Sequence, residues 1–291
     1  MTVRGRVAVT GATGRLGSAL RARLTGVPGT DPLPWSRPDS DLDAPAGAAR
    51  CIARDRPDHV LHAAAWTDVD GCARDPEAAL RRNGAATGAL ARACAAAGAG
   101  LVVVSTNEVF GAPRTDGAGW REDDPVAPCN PYGASKAEGE AAARASLPGP
   151  GLWIVRTAWL YGRPGAGFPE RIVAAADRLP PGEPLGVVAD EVGSPTWAAD
   201  LADAILALVA ATPGGTFHCV NPGAASRRDW ADAVLAVRRP GRRTRPIGRA
   251  DFVRASVPPA WAVLDTARAA AAGVRLRAWD AALAAYLASE P

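Results

Sequence analysis

A doubly wound, parallel α/β sheet with a smaller mixed α/β lobe toward the C-terminus is the fold class this sequence predicts. Three observations carry that expectation. Short apolar runs alternate with helical stretches through the first half, the rhythm of strands joined by crossover helices and covered on both faces. A glycine-rich turn separates the first run from the first helix. After Arg156 the rhythm loosens, as Pro164, Pro169, Pro180, Pro181 and Pro184 cut the chain into short pieces. The 291 residues leave room for one large domain or two small ones, and 48% apolar against 22% charged residues is the balance of a folded globular chain.

In chain order, residues 6–10 read as a short buried strand, residues 16–24 as a helix, and a second strand ends at Trp35-Ser36-Arg37. Residues 46–54 are helix-like and lead through Pro57 to the strand Val60-Leu61-His62. Residues 76–97 read as one long alanine-rich helix. Residues 101–104 form the cleanest strand, followed by a helix over 132–145 and a strand over 152–155. Crossovers between parallel strands of this kind are right-handed. Farther on, residues 200–211 predict an amphipathic helix and 216–220 a strand. The last seventy residues mix short helices with proline turns and hold Trp230, Trp261 and Trp279, which are expected in a core. No internal repeat is visible.

Composition excludes several function classes. Thirty-three basic and 30 acidic residues give a net charge of +3 with no basic run, so nucleic acid is not an expected partner. No apolar run approaches a membrane span. The first residues run straight into a strand and leave no room for a signal peptide. The five cysteines, Cys51, Cys72, Cys94, Cys129 and Cys219, are odd in number and contain no CxxC pair. They read as reduced thiols of a cytoplasmic protein, with no metal site.

The first motif with chemistry is Gly11-Ala12-Thr13-Gly14-Arg15-Leu16-Gly17. Gly11 permits the tight turn out of the strand, Gly14 lets backbone approach a pyrophosphate, and Gly17 lets the helix pack close to the sheet. The helix N-terminus offers free N–H groups and a positive dipole end to phosphate. In a chain with 31 glycines a triplet alone is weak, but the flanking strand and helix make it a dinucleotide site. The expected division follows. Residues 1–155 with about 198–222 bind the dinucleotide, and about 156–197 with 223–291 form the substrate lobe.

The second motif is Tyr132-Gly133-Ala134-Ser135-Lys136. Residues four apart share one helix face, so the phenol and the ammonium point into the same space. A nearby cation favours phenolate, which is expected to lower the Tyr132 pKa and make it a usable proton donor. An accidental surface pair is the bland alternative. With three tyrosines and a single lysine, that spacing arises by chance in about one such chain in a hundred. Lys136 is the only lysine beside 32 arginines. Where coding bias converts lysine to arginine, a survivor is expected where a compact ammonium cannot be replaced by a broad guanidinium. Third, Thr106 follows the strongest strand, where open parallel sheets bind ligands, and its hydroxyl suits a substrate carbonyl. A turn hydroxyl is the plainer reading of such a position; beside Tyr132 and Lys136 the functional one is preferred.

With these segments in hand, the sequence resembles the extended short-chain dehydrogenase/reductases, and within them the dTDP-4-dehydrorhamnose reductase family. The resemblance rests on the Gly11 loop, Ala63-Ala64-Ala65-Trp66-Thr67-Asp68-Val69-Asp70, Ser105-Thr106-Asn107-Glu108-Val109-Phe110, Asn130-Pro131-Tyr132-Gly133-Ala134-Ser135-Lys136, Arg156-Thr157-Ala158-Trp159-Leu160-Tyr161-Gly162 and Gly193-Ser194-Pro195-Thr196. It covers roughly residues 6–210 and fades beyond them. The resemblance implies a Rossmann-type sheet, NADPH (or NADH) as cofactor, and a nucleotide-linked 4-keto-6-deoxyhexose as substrate. It implies Thr106, Tyr132 and Lys136 as catalytic triad. Gly11, Thr13, Gly14, Arg15, Leu16 and Gly17 match the pyrophosphate loop. Asp41 and Leu42 match the adenine pocket, and Ala63, Ala64 and Ala65 pass the cofactor riboses. Thr67, Val69, Asn107, Glu108 and Trp159, with Thr106, match the sugar side. A cytoplasmic monomer or homodimer is expected.

Two positions depart from the family pattern. Glu108 stands where its members commonly carry tyrosine, and Glu191 where they carry glutamine. Both bear on which sugar is bound and leave the reaction type alone. Arg37, after the second strand, could pair with a 2′-phosphate and favour NADPH, or be one surface arginine among many. His62 and Arg156 read as packed or structural residues, and Asn83 as a tie between its helix and the active-site loops or a solvated residue. Two other functions remain open at this stage. One is a nucleotide-sugar epimerase or dehydratase; the other is a dinucleotide-binding regulatory subunit without turnover.

Overall fold

The first strand, β1 (Gly5–Thr10), lies inside the sheet and turns at Gly11 into α1 (Arg15–Leu24). The computed structural model describes residues 3–37 and 39–289. β2 (Thr30–Trp35), α2 (Ala46–Asp55) and β3 (His59–His62) follow, then α3 (Val69–Arg74), α4 (Pro76–Ala79) and α5 (Ala86–Ala97). β4 (Gly100–Thr106), α6 (Pro131–Ser146) and β5 (Leu152–Thr157) complete the alternating half. Beyond it come β6 (Leu160–Tyr161), α7 (Phe168–Asp177), β7 (Leu185–Val188), β8 (Val192–Gly193), β9 (Thr196–Trp197), α8 (Ala198–Ala211) and β10 (Gly215–His218). β11 (Ala225–Ser226), α9 (Arg227–Arg238), β12 (Thr244–Ile247), α10 (Ala267–Ala271) and α11 (Trp279–Ser289) end the chain.

Six strands pair in the order β10-β5-β4-β3-β1-β2, all parallel. The order reverses at β1, with β2 on one side and β3 on the other. That opens the crevice where such sheets bind ligands. Alternation along β1 fixes both layers. Val7 and Val9 pack with Leu20 of α1 and with Leu201, Ile205 and Leu208 of α8. Ala8 faces the opposite layer, with Ile52, Leu90, Ala91 and Ala143 of α2, α5 and α6. Each such valine, leucine or isoleucine contributes roughly 1.5–3 kcal/mol of burial free energy. The other strands make two-residue or four-residue pairs, β6 with β9, β8 with β11 and β7 with β12. Beside them an aromatic cluster forms around Tyr161, Trp230, Phe168, Trp159 and Trp279, so Trp230 and Trp279 are packed as expected. Trp261 packs against a separate cluster with Phe110 and Trp120.

The long helix expected over 76–97 is interrupted. α4 is capped by the Asp75 carboxylate, which accepts from Ala78 N at 2.9 Å. A π-helical turn over Leu80–Ala85 separates α4 from α5. Extra residues in such turns commonly serve a local contact, and here the contact is with α6. Asn83 reaches Ser135, while added Cβ atoms at Gly84 and Gly88 would meet Glu138 and Ala142. Among the described residues no helix is long and apolar enough to cross a membrane, and no His, Cys, Asp or Glu group could hold a metal.

Candidate active site

The glycine loop is held by contacts that only glycine permits. Gly11 has φ +62°, and a Cβ there would lie 2.9 Å from the Ala64 backbone. A Cβ at Gly17 would lie 2.1 Å from Gly11 O. Gly14 differs: it is the exposed N-cap of α1, with no side-chain cap. Its nearest obstacle to a Cβ is Gly11 O at 3.3 Å. The amide end of α1 therefore faces open space, as a pyrophosphate requires. Thr13 is exposed at the rim. Leu16 is buried in the core, so only its backbone is free to face a ligand. Arg15 reaches across to Ala166 O at 2.7 Å.

Arg37 is exposed two residues beyond β2, on the rim that also carries the loop. Asp41 and Leu42 are half-buried in the turn before α2, where the Asp41 carboxylate accepts from Asp43 N at 3.1 Å. Arg82 grips Asp43 at 2.7 and 2.9 Å and lies over the Trp66 ring at 4.8 Å, tying that turn to the strand-β3 loop.

Beneath the loops runs a chain of neutral hydrogen bonds. Thr87 Oγ1 donates to Asn83 O at 2.7 Å, so it accepts from His62 Nε2 at 3.2 Å. His62 Nδ1 then accepts from Thr10 Oγ1 at 2.8 Å, and Thr10 Oγ1 accepts from Ala64 N at 3.1 Å. Burial, followed by the charge of Lys136, pushes the His62 pKa down to about 3, so the ring is neutral and structural. This network fixes the half-buried segment Ala63-Ala64-Ala65. Asn83 completes it. Its amide accepts from Trp66 N at 2.8 Å and donates to Trp66 O and Ser135 Oγ, each at 3.0 Å. Asn83 thus ties its helix to the site, as one of its two readings had it.

Thr106 ends β4 beside Thr157 of β5, and α6 is pressed onto the turn that follows. Asn130 caps α6 by accepting from Gly133 N at 2.8 Å, with Pro131 at the first turn. A Cβ at Gly133 would lie 2.1 Å from Glu108 O. The Tyr132 phenol lies near enough to the Thr106 side chain to interact with it. Lys136 lies one turn farther along α6, and it and Tyr132 are both buried. Burial pushes the Lys136 pKa down to about 8, with the Glu140 charge opposing the shift. Burial would raise Glu140, but Arg156, together with Ser105 and Arg144, outweighs it and holds the carboxyl below its usual range. That pair is bidentate, at 2.9 and 2.7 Å, and completely enclosed, so Arg156 is structural.

One expectation needs correction. Lys136 does not lower the Tyr132 pKa here. Burial, then the charge of Glu108, pushes the phenol well above its ordinary value. Desolvation disfavours the phenolate, the opposing contribution comes from the Thr106 side chain and not from Lys136, and the phenol stays protonated.

The sugar side gathers residues from distant parts of the chain. Glu108 is half-buried, and its Oε2 accepts from Asn130 Nδ2 at 2.6 Å. Burial raises its pKa. Trp159 has φ +42°, a strained conformation for tryptophan, and its ring is backed by Gly193. The Arg227 guanidinium lies 3.5 Å from that ring's centroid and 3.4 Å from Glu191 Oε2. Arg254 clamps Asp70 at 3.0 and 3.2 Å. Val69 packs against the cluster containing Tyr132, and Thr67 is exposed beside it. Asn107 is buried, with its amide oxygen taken by Thr106 Oγ1 and its nitrogen 3.5 Å from Ala262 O. It belongs to the wall. Asp70, Arg227 and Arg254 went unnoticed in the sequence. Asp70 lay inside a quoted motif, but two arginines among so many carry no local signal.

A family model described as the RmlD substrate binding domain matches residues 5–290. The dTDP-4-dehydrorhamnose reductase of Streptomyces griseus is 40% identical over 288 residues, 96% of this chain and 92% of that one. The dTDP-4-dehydrorhamnose reductase of Mycolicibacterium smegmatis is 39% identical over 283 residues, 96% of this chain and 84% of that one. Among solved structures, dTDP-4-dehydrorhamnose reductase from Bacillus anthracis in complex with NADP superposes with a TM-score of 0.91 at 29% identity, covering 99% of this chain and 100% of that one. The likeness therefore continues through the C-terminal residues, past the point near residue 210 where the motifs give out.

Proposed function

Because the chain belongs to the family of the RmlD substrate binding domain, we propose that it catalyses NAD(P)H-dependent reduction of the 4-keto group of a dTDP-linked 6-deoxyhexose. The observation that carries this reading is that Thr106 ends β4 next to Tyr132 of α6, with the buried Lys136 one turn farther along that helix, in a fold whose first helix has an uncapped, glycine-built N-terminus. The residues fit a dinucleotide: the space in front of Gly14 is open, and the loop around it is closed to side chains. The glycine loop with Thr13, Arg15 and the Leu16 backbone would hold the pyrophosphate. Arg37 would hold a 2′-phosphate, Asp41 and Leu42 the adenine, and the segment from Ala63 to Ala65 the riboses.

The bound dinucleotide supplies the hydride. Thr106, its hydroxyl turned from Asn107 Oδ1 to the ketone oxygen, would polarise the ketone, and Tyr132 would give its phenol proton to that oxygen as negative charge develops there. The protonated state that burial enforces on Tyr132 is the state this step needs. Lys136, as a buried cation, would orient the cofactor ribose. Thr67, Val69, Glu108 and Trp159 would line the sugar. In this reading residues 1–155 with about 198–222 bind the dinucleotide, and about 156–197 with 223–291 the sugar nucleotide. A cytoplasmic monomer or homodimer acting without nucleic acid fits five free thiols and the absence of a basic run.

The test is a panel of dTDP-linked 4-keto-6-deoxyhexoses with NADPH and NADH, following loss of the reduced nicotinamide absorbance and identifying the product by NMR. Stoichiometric oxidation of cofactor with a new 4-hydroxyl is expected. Conversion without net cofactor oxidation, with NAD retained through purification, would instead identify an epimerase or dehydratase.

A further inference from the structure

The proposed sugar side of the cleft holds a carboxylate without an ion pair of its own among the described residues. Glu108 comes two residues after Thr106, and its N–H donates to the Thr106 hydroxyl at 3.2 Å. Its side chain therefore springs from the turn beside the point where that hydroxyl would meet a ketone. The one hydrogen bond its carboxylate makes among the described residues comes from the neutral Asn130 amide, at Oε2. Two guanidiniums act on it electrostatically, those of Arg227 and Arg254. Each already faces another carboxylate. Arg227 is opposite Glu191 and flat on Trp159, and Arg254 is clamped on Asp70 by two bonds. Arg74 also acts on Asp70, so the charges match in number, but of the three carboxylates Glu108 is the one without an ion pair of its own among the described residues. The surroundings are partly desolvated: Glu108 is half-buried, and Asn130 and Glu191 are each 5% exposed. A desolvated carboxylate without its own cation is unfavourable, and a cationic ligand group relieves it.

We propose that Glu108 recognises a protonated amino group on the hexose, so that the preferred substrate is an amino-deoxyhexose rather than a purely hydroxylated one. The proposal rests on the reductase reading above and narrows its substrate. Thr106 would meet the oxygen on C4, so a group within reach of Glu108 sits on a neighbouring carbon. C5 bears the ring oxygen and the methyl group, which leaves C3. An ammonium there would form a charge-assisted bond to the carboxylate and give Glu108 an ion-pair partner of its own. A hydroxyl at C3 would form only a weaker bond and leave the charge uncompensated.

The experiment compares two dTDP-4-keto-6-deoxyhexoses that differ only in carrying an amino or a hydroxyl group at C3, each reduced with NADPH at neutral pH. kcat/KM is expected to be about tenfold higher for the amino form, the scale of one charge-assisted hydrogen bond. Glu108→Gln keeps the shape and removes the charge, and should bring the ratio close to one, mainly by raising KM for the amino substrate. Calorimetric titration of the two matching 4-hydroxy dTDP-sugars into wild-type protein gives the same comparison without turnover and without relying on the variant. Equal or better use of the hydroxyl form overturns the inference and leaves the reductase reading intact. A preference that survives Glu108→Gln also overturns it, because the discrimination then lies elsewhere. Reduction of neither sugar overturns both readings together.

Discussion

The two ends of the proposed cleft, one assigned to the dinucleotide and one to the sugar, are built from different materials. At the dinucleotide end the surface is backbone: Gly11, Gly14 and Gly17, a bare helix terminus, and a segment of three alanines fixed from below by neutral hydrogen bonds. At the sugar end it is side chains, most of them charged, from β4, α3, α9 and the chain around Arg254. Every dinucleotide presents the same pyrophosphate, so a fixed backbone cradle suffices and tolerates little change. Sugars differ in their substituents, and side chains on separate elements can change one at a time. Tyr132 and Lys136 stand at the junction, buried between the two.

The largest expected effect lies at that junction. Tyr132→Phe removes one oxygen and keeps the ring, so turnover should fall by roughly 10²–10⁴, the loss expected for a positioned acid. Cofactor affinity and sugar-nucleotide affinity, measured separately by titration, should both stay near wild type. A fall in either affinity comparable with the fall in kcat would mean that Tyr132 is a wall of one end and not the shared centre. The pH profile sharpens the assignment. Lys136 carries its charge below about 8 and loses it as pH rises through that value, while Tyr132 stays protonated across the same range. kcat/KM should therefore decline on the alkaline side with a midpoint near 8. A profile flat to well above that point would show that the lysine charge is not required.

How much of this was legible in the sequence follows the same division. The dinucleotide end is local: a strand, a turn and a helix within twenty residues, with glycines whose spacing is set by contacts inside the loop itself. The triad is nearly as local, because Tyr132 and Lys136 share a helix and Thr106 ends the strand most plainly written in the chain. Glu108 and Glu191 could be singled out as departures, but not the guanidiniums that answer them. Arg227 and Arg254 reach the cleft only through the packing of α9 and the following chain, and in a sequence with 32 arginines neither has a local mark. The π-turn at Leu80–Ala85 was invisible for a related reason. Alanine-rich periodicity suits one continuous helix, and what widens it is the hydrogen bonding of Asn83 to Trp66 and Ser135. The error over Tyr132 was one of magnitude: spacing placed a cation nearby, but only burial tells how strongly the phenolate is disfavoured.

Next in size is Gly14→Val, which separates the two ends. Gly14 has φ −76°, an ordinary value for any residue, and its Cβ direction is open except for Gly11 O at 3.3 Å. The protein should fold with a melting temperature close to wild type. The branched side chain would fill the space in front of α1, so NADPH affinity should fall by at least about a hundredfold, the loss of several backbone-to-phosphate bonds. Sugar-nucleotide binding should persist. Gly17→Val is the contrast, since its Cβ would overlap Gly11 O at 2.1 Å and the fold itself should suffer. Retained NADPH affinity in Gly14→Val would remove the backbone cradle from the comparison.

The smallest effect concerns the one place where the dinucleotide end would rely on a charged side chain. Arg37 is exposed beyond β2, and its charge reaches Asp43 in the next turn. A guanidinium held by no enclosed partner can turn to a 2′-phosphate, but it does so in water, where a charge pair is weakened by solvent and salt. Arg37→Ala should therefore weaken NADPH by about tenfold, equivalent to one charge-assisted bond, and leave NADH unchanged. The difference should shrink as salt is raised, because the pair is screened, whereas the Gly14→Val defect should persist at every ionic strength, because it is steric. Equal losses for the two cofactors would mean that Arg37 supports the turn before α2 instead of reading phosphate. The dinucleotide end would then be backbone throughout, and any preference between NADPH and NADH would have to be sought in Arg15, the other guanidinium on its rim.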